Sequence, residues 1–332
     1  MHPLLRASAD RNFGLFTAAD ARRAGYASPE IRHLLSSGQW VRMRRGIYFA
    51  RSDLVAVTSP AQHHRIECLA LLMQLDRPSA VISHSSAARL WGLPLRRGMG
   101  NGLRLTDPTG WRRGKDFVMA QAPIDDWETA HDGPVRLTSA GRTLVDCARE
   151  WDLEPSVIAL DAALLLEITS RQALDRTLAR CSHWPGAPRA RRAVSLADGR
   201  AESPLETKGR LRLVGAGLAP DQLQVEIHSA GRFVGVVDAW YEQAAVALEF
   251  DGRVKYTDPW RGRTPRQVLW EEKRREDELR ALDIRVVRIA DVDVGPAWPA
   301  VEQRLHRLVR QPGPQRRRFV AIPRARGRVQ SA

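Results

Sequence analysis

The chain has 332 residues, 43% of them hydrophobic, which is enough for two or three domains with real cores. No run approaches the roughly 18 apolar residues of a membrane span, and the N-terminus lacks the apolar stretch of a signal peptide. Cys68, Cys147 and Cys181 stand far apart with no CxxC, which excludes a disulfide framework and a cysteine zinc site and fits a soluble, cytoplasmic protein. Lys plus Arg is 52 against 38 acidic residues, a net charge of +14 carried almost wholly by arginine, so nucleic acid is the favoured partner.

Residues 1–52 form the first domain. Thr17 caps a helix through Ala18–Ala24 that Gly25 stops. Ser28 caps a second helix with Pro29 in its first turn, and Gly38 ends it. Ile31, Leu34 and Leu35 give that helix a buried stripe, which leaves Arg32, His33 and Ser36 on the opposite face. Trp40–Phe49 reads as two short strands around a glycine turn, carrying Arg42, Arg44 and Arg45. Helix, turn, helix and basic hairpin is the order of a winged helix-turn-helix, in which the second helix enters the major groove and the hairpin touches backbone. A small helical protein-binding domain has a similar order, and the hairpin arginines favour DNA.

Residues 53–195 read as a middle α/β unit. Helices are expected at 61–75, 84–91, 139–150, 155–166 and 170–181, with strands near 103–106 and 135–138. His63, His64 and His84 have no partner at metal-ligand spacing and are taken as surface or capping histidines. Residues 182–201 read as a linker or an exposed helix.

Residues 196–310 form the third domain. A helix starts at Ser203-Pro204-Leu205-Glu206, where Glu206 stands at the third position of a capping box. Strands follow at about 223–228, 232–241 and 245–251, then a long helix at 265–282 and a closing strand over Ile284–Ile289. Glu249 and Asp251 lie two apart and share one strand face, and the hairpin brings Asp238 close to Glu249. Three converging carboxylates repel unless a cation compensates, and magnesium suits such a place because it takes carboxylates together with water and phosphate oxygens. Pairing of Glu249 and Asp251 with Arg253 or Lys255 is the structural alternative. On the long helix, Glu271–Arg275, Lys273–Asp277 and Arg274–Glu278 are spaced for self-pairing, while a stripe through Val268, Glu272, Arg275, Leu279 and Leu282 turns Glu272 and Arg275 toward the sheet. Residues 311–332, rich in Arg, Pro and Gly, read as a disordered basic tail that adds phosphate contacts.

Two resemblances come with these motifs. The segment GRFVGVVDAWYEQAAVALEFDGRVKY, with its flanking helices and the Val-Val-Arg strand, resembles the PD-(D/E)xK nuclease superfamily, in its very-short-patch-repair branch. That resemblance implies a restriction-endonuclease-like α/β/α domain. It implies Asp238 and Glu249 as ligands of magnesium or manganese, Asp251 as ligand or water-positioner, and Glu206 as an accessory carboxylate. The family's lysine position is occupied by Asp251, and Lys255 stands where it could supply the missing charge. The segment FTAADARRAGYASPEIRHLLSSGQWVRMRRGIYF, followed by SHSSAARLWGLP and VRLTSAGRTLVDCARE, resembles the AbiEi-type antitoxins of type IV toxin–antitoxin systems, which implies a DNA-binding autorepressor and a cognate toxin or other protein partner. The combined expectation is a multi-domain α/β protein, either a metal-dependent DNA endonuclease or a non-enzymatic antitoxin-like repressor with a degenerate nuclease domain. An RNA-directed nuclease and the oligomeric state stay open.

Overall fold

The computed structural model describes residues 1–95, 98, 102–252 and 265–324, the side chains of 265–269 excepted. Arg253 and Lys255, and the arginines at 326 and 328, lie outside the described residues. The chain forms two compact units, the first of Met1–Ala159 with Ile168–Arg192 and the second of Leu160–Glu167 with Ala193–Ala332. No described helix is long and apolar enough to cross a membrane.

The first unit opens with α1 (Pro3–Arg11), β1 (Leu15–Thr17), α2 (Ala18–Arg23), α3 (Ser28–Ser36), β2 (Trp40–Arg44) and β3 (Ile47–Ala50). Thr17 caps α2 in a full capping box. Its hydroxyl accepts from the Asp20 amide at 3.0 Å, and the Asp20 carboxylate accepts from the Thr17 amide at 2.8 Å. The expected side-chain cap of α3 by Ser28 is corrected. Ala27 is the N-cap, with no side-chain bond, and Pro29 in the first turn starts the helix because its missing N–H leaves nothing to satisfy. Leu5, Phe16, Ile31, Trp40 and Tyr48 form one core, with Phe16 set edge-on to Trp40 at 4.7 Å. The strands lie in the order β1-β3-β2, all antiparallel. The third strand and α1 add to the two helices and two strands expected from the sequence. Gly14 at φ +92 leads into β1, and a Cβ there would meet the Phe49 ring at 2.4 Å, so no larger residue fits.

The rest of this unit comprises α4 (Arg51–Ala56), α5 (Pro60–Leu75), β4 (Val81–Ile82), α6 (His84–Leu90), β5 (Leu103–Asp107), β6 (Arg112–Arg113), β7 (Phe117–Gln121), β8 (Thr129–Asp132), β9 (Val135–Thr138), α7 (Ala140–Glu150) and α9 (Arg171–Arg180), together with the first parts of α8 (Leu153–Leu165) and α10 (Ala187–Leu196), whose last residues belong to the second unit. Six strands run in the order β6-β7-β5-β4-β9-β8, with β5–β7 and β4–β9 parallel. Leu15, Ile47 and Phe49 share one apolar cluster with Leu69, Leu105 and Leu137, so the N-terminal elements and this sheet have a common core. Helix α10 corrects the reading of 182–201 as linker or exposed helix, because Ala187, Ala190, Ala193 and Val194 along it are buried. His64 and His84 are buried as well, against the expectation of surface histidines, since α5 and the start of α6 turn inward.

A buried arginine organises the α7 end of this unit. Arg142, 1% exposed, donates to Glu128 at 2.8 Å and to Asp146 at 2.7 Å, while Arg149 donates to the other Asp146 oxygen at 2.8 Å. The Trp184 ring lies under both guanidiniums, at 4.6 and 5.0 Å.

The second unit carries α11 (Pro204–Gly215), β10 (Gln222–Ser229), β11 (Arg232–Tyr241), β12 (Val246–Asp251), α12 (Pro265–Ala281), β13 (Arg285–Ala290), α13 (Trp298–Val309) and β14 (Val320–Pro323). Its sheet runs β13-β12-β11-β10-β14, antiparallel except for the β12–β13 pair. Leu213 of α11 and Leu305 of α13 pack with Leu248, Phe250 and Ile289 on one face. Leu279 of α12 packs with Trp240, Ala247 and Val286 on the other. Strand β14 falls in the segment expected as a disordered basic tail. There Phe319 is buried against Trp240, the flanking Arg317 and Arg318 find Glu242 and Asp283, and Val320–Pro323 pair with β10, so this part of the segment is built into the fold.

Replacing Arg142 by Ala leaves Glu128 and Asp146 buried without their shared cation. We expect a loss of about 3–5 kcal/mol in urea unfolding of the intact chain. A change below ~1 kcal/mol would show that the cluster contributes no net stability.

Candidate nucleic-acid interface and carboxylate cluster

The geometry of α3 follows from its stripe. Ile31 is 6% exposed and packs inward, which turns Arg32, His33 and Ser36 out to solvent. The Ser36 hydroxyl donates to the His33 carbonyl at 3.0 Å, as a solvent-side serine does on a helix. On the β2–β3 hairpin, Arg42 and Arg45 are exposed, with the tight turn at Gly46 (φ +77) between the strands. Arg44 differs. Its side chain is 13% exposed and donates to Asp116 at 2.6 Å and to Gln74 at 3.2 Å, so it ties the hairpin to the body of the unit. A register shift between Arg42 and Arg44 in the β2–β3 ladder breaks the alternation that would put both on one face, a distinction that the cluster of arginines in the sequence conceals. Five of the six residues read as a DNA face are therefore outward, and Arg44 is engaged within the fold.

The second unit splits the acidic residues into two groups. Gln224, in a left-handed conformation at φ +52 and 5% exposed, donates from one amide nitrogen to Glu206 at 3.0 Å and to Asp238 at 3.3 Å. Asp238 also accepts from the Phe250 amide at 2.7 Å. Glu206 accepts from the Glu202 amide at 2.8 Å, one residue before the N-cap Ser203, which departs from a standard capping box. Burial, and then the negative charge of Asp238, push the Glu206 carboxyl up to about 7.

Glu249 and Asp251 meet arginines instead. Glu249, 4% exposed, accepts from Arg275 of α12 at 2.9 Å and lies 3.5 Å from Arg288 of β13. Asp251 takes Arg288 at 3.3 Å, and Arg288 reaches Glu276 at 3.1 Å. The parallel register makes this arrangement, since it sets Glu249 directly opposite Arg288. Burial raises the Glu249 carboxyl even though Arg275 and Arg288 pull it down. For Arg288, burial opposes the charge but the surrounding carboxylates, Asp251 foremost, hold its guanidinium more firmly protonated than usual.

These contacts bear on a divalent cation. Magnesium needs carboxylate oxygens that it can coordinate together. Here guanidiniums occupy Glu249 and Asp251, and Asp238 is turned to Gln224 and a backbone amide. Among the described residues no group of three His, Cys, Asp or Glu side chains is placed to hold a metal ion. The side chains as arranged do not fit the ion, because arginine already supplies the compensating charge. Lys255 lies outside the described residues, as does Arg253. Of the groups that now matter, Arg275 was legible as an inward position on the helix stripe. Gln224 was not singled out, since a lone glutamine in a strand carries no pattern of its own, and Arg288 entered only as the last residue of the Val-Val-Arg strand, with no role assigned.

The N-terminal elements match a class of transcriptional regulators: residues 3–49 fit the family described as transcriptional regulator, AbiEi antitoxin. The chain is also similar to two uncharacterized proteins of Mycobacterium tuberculosis, MT2308 of strain CDC 1551 / Oshkosh and Rv2248 of strain H37Rv, each 30% identical over 157 residues. That stretch is 47% of this chain and 55% of either relative, so the chain spans about half the length of the curated relatives it matches.

The raised Glu206 carboxyl links stability to pH. Between the ordinary value of 4.5 and about 7, the folded chain holds a proton that the unfolded chain releases. Its contribution is therefore full below the ordinary carboxylate range and is lost as pH rises through about 7. Glu206→Gln should flatten the fall in Tm between roughly pH 5 and pH 8 relative to wild type. Parallel Tm profiles for the two proteins would remove Glu206 as the titrating group.

Proposed function

We propose that this protein is a DNA-binding transcriptional regulator of the AbiEi antitoxin kind, in which residues 13–50 act as a winged helix and the second unit is a nuclease-like scaffold that no longer cleaves. The observation that carries this reading is the match of residues 3–49 together with the exposure of Arg32, His33 and Ser36 on α3 and of Arg42 and Arg45 on the hairpin. In such a module α3 lies in the major groove, and the hairpin runs along the backbone. Arg32 is suited to bidentate contact with a guanine edge, while Arg42 and Arg45 neutralise phosphates and fix register without reading sequence. The net charge of +14 adds a long-range field that speeds encounter with DNA. The arginine-paired carboxylates support the non-cleaving form of the second unit. A cognate toxin belongs to this reading as the expected protein partner.

A second reading keeps a magnesium- or manganese-dependent endonuclease built on Asp238, Glu249 and Asp251, with Glu206 and Lys255 as accessory groups. The shared approach of Glu206 and Asp238 to Gln224, where burial and then the charge of Asp238 raise the Glu206 carboxyl to about 7, favours it. It requires Arg275 and Arg288 to leave the carboxylates when metal and DNA arrive.

Three measurements separate these readings. Arg32→Ala should lose roughly 1–3 kcal/mol of discrimination between the selected site and a guanine-substituted site in quantitative footprinting, and unchanged site preference would sink the role of α3. Arg42→Ala and Arg45→Ala should each flatten the salt dependence of DNA affinity by about 0.9 in slope, whereas Arg44→Ala should act on thermal stability first. Plasmid incubated with magnesium or manganese should stay intact. Cleavage that Glu249→Gln abolishes would replace the first reading by the second.

A further inference from the structure

A pocket of about 250 Å³ opens in the first unit beneath the β2–β3 hairpin, lined among others by Met43 and Arg44 of β2, His64 and Glu67 of α5, Arg89 of α6, and Asp116. Well-packed interiors hold few voids of this size, and the volume lies just below the roughly 300–1,000 Å³ typical of sites for drug-sized molecules. A small metabolite fits that space.

The polar lining is incompletely satisfied. His64 is 5% exposed, and its Nε2 lies 3.0 Å from the Ser86 carbonyl, so Nε2 carries the hydrogen and Nδ1 is left as an acceptor. Nδ1 is buried and has no hydrogen-bond partner. A buried acceptor without a donor is unfavourable, and a bound donor would relieve that cost. Burial lowers the His64 pKa, so the ring stays neutral and Nδ1 keeps its lone pair; the charges of Arg89 and Glu67 are both felt there. Neither Arg89 nor Glu67 has an ion-pair or hydrogen-bond partner among the described residues. Arg44 is already neutralised by Asp116 at 2.6 Å, so one guanidinium remains to receive an anion and one carboxylate to receive a cation or hydroxyl.

We propose that this pocket binds a small α-amino or α-hydroxy carboxylate, and that its occupancy sets the hairpin against the body of the unit. The ligand's carboxylate pairs with Arg89, and its amine or hydroxyl donates toward His64 Nδ1 or Glu67. A phosphate dianion or a divalent cation is a poorer fit, since only one guanidinium and one carboxylate stand unpaired. Met43 and Arg44 connect the pocket to function because they lie in the same strand as Arg42 and next to Arg45. A ligand touching them changes how firmly the exposed arginines are presented. This coupling rests on the reading of the hairpin as a DNA contact; the binding itself does not.

The test uses the intact chain. The twenty standard amino acids, lactate, glycerate and malate are screened by thermal shift, with inorganic phosphate and magnesium as controls, and hits are titrated by calorimetry. At least one member of the panel is expected to raise Tm and bind saturably, with Arg89→Gln weakening it tenfold or more while circular dichroism is unchanged. Glu67→Gln, on the exposed side of α5, serves as a second variant that leaves the core intact. Absence of saturable binding by the whole panel, or equal affinity in wild type and Arg89→Gln, overturns the site. Affinity for a duplex selected by the chain from a random pool is then measured with and without saturating ligand, and a shift of threefold or more is expected. An unchanged affinity overturns the coupling and leaves the site standing. Failure to select any duplex counts against the DNA-binding reading alone, with calorimetry still deciding the pocket.

Discussion

A guanidinium taken out of water costs several kcal/mol unless a carboxylate and further acceptors meet it, and this arginine-rich chain faces that cost repeatedly. In the first unit Arg142 is met by Glu128 and Asp146 with Trp184 beneath, and Arg44 is met by Asp116. In the second, Arg210 is met by Asp161 at 2.7 Å and by the Leu196 carbonyl at 2.6 Å, with the Thr207 hydroxyl donating to the same Asp161 oxygen at 2.8 Å. Arg275 and Arg288 are met by Glu249, Asp251 and Glu276. Each cluster bridges elements distant in sequence, so these pairs choose partners as well as balance charge. The arginines left over face solvent, and they are the ones that make the surface attractive to a polyanion.

The same constraint decides what the second unit offers chemically. Three carboxylates on one hairpin demand positive charge, and either a divalent ion or guanidiniums can supply it. With Arg288 directly across the parallel register from Glu249 and Arg275 descending from α12, the demand is met by the protein itself. In the other carboxyl pair, Gln224 donates to both Glu206 and Asp238, and burial together with the charge of Asp238 raises the Glu206 carboxyl toward neutrality. Neutralisation by cation and neutralisation by protonation thus operate within one sheet.

Much of the local structure was legible because short-range rules govern it. The box formed by Thr17 and Asp20, the inward stripe of α3 at Ile31, the hairpin joining β11 to β12, and the inward turn of Arg275 and Leu279 on α12 all follow from residue types at fixed offsets. The failures share a different cause. The two-residue strands β4 and β6 are too short to show alternation, and they exist because β5, β7 and β9 offer them a ladder. Strand β14 hides in a run of arginines, and its apolar residues count only once β10 presents an open edge and Trp240 a surface for Phe319. His64 and His84 looked like surface histidines because nothing in their spacing tells which way a helix will turn its polar groups.

What the sequence determined by itself was therefore charge, element order and the faces of individual elements: an arginine-borne excess of +14, an outward Arg32, His33 and Ser36, and carboxylates gathered on one hairpin. What only the tertiary structure decided was pairing. Arg44 was separated from its hairpin neighbours by Asp116, which lies 72 residues further along the chain. Asp251 was met by Arg288, 37 residues away on a neighbouring strand. Periodicity and capping act over a few residues and can be read along the chain, whereas a charged group finds its partner through strand register and helix packing, which bring together residues that no local pattern relates.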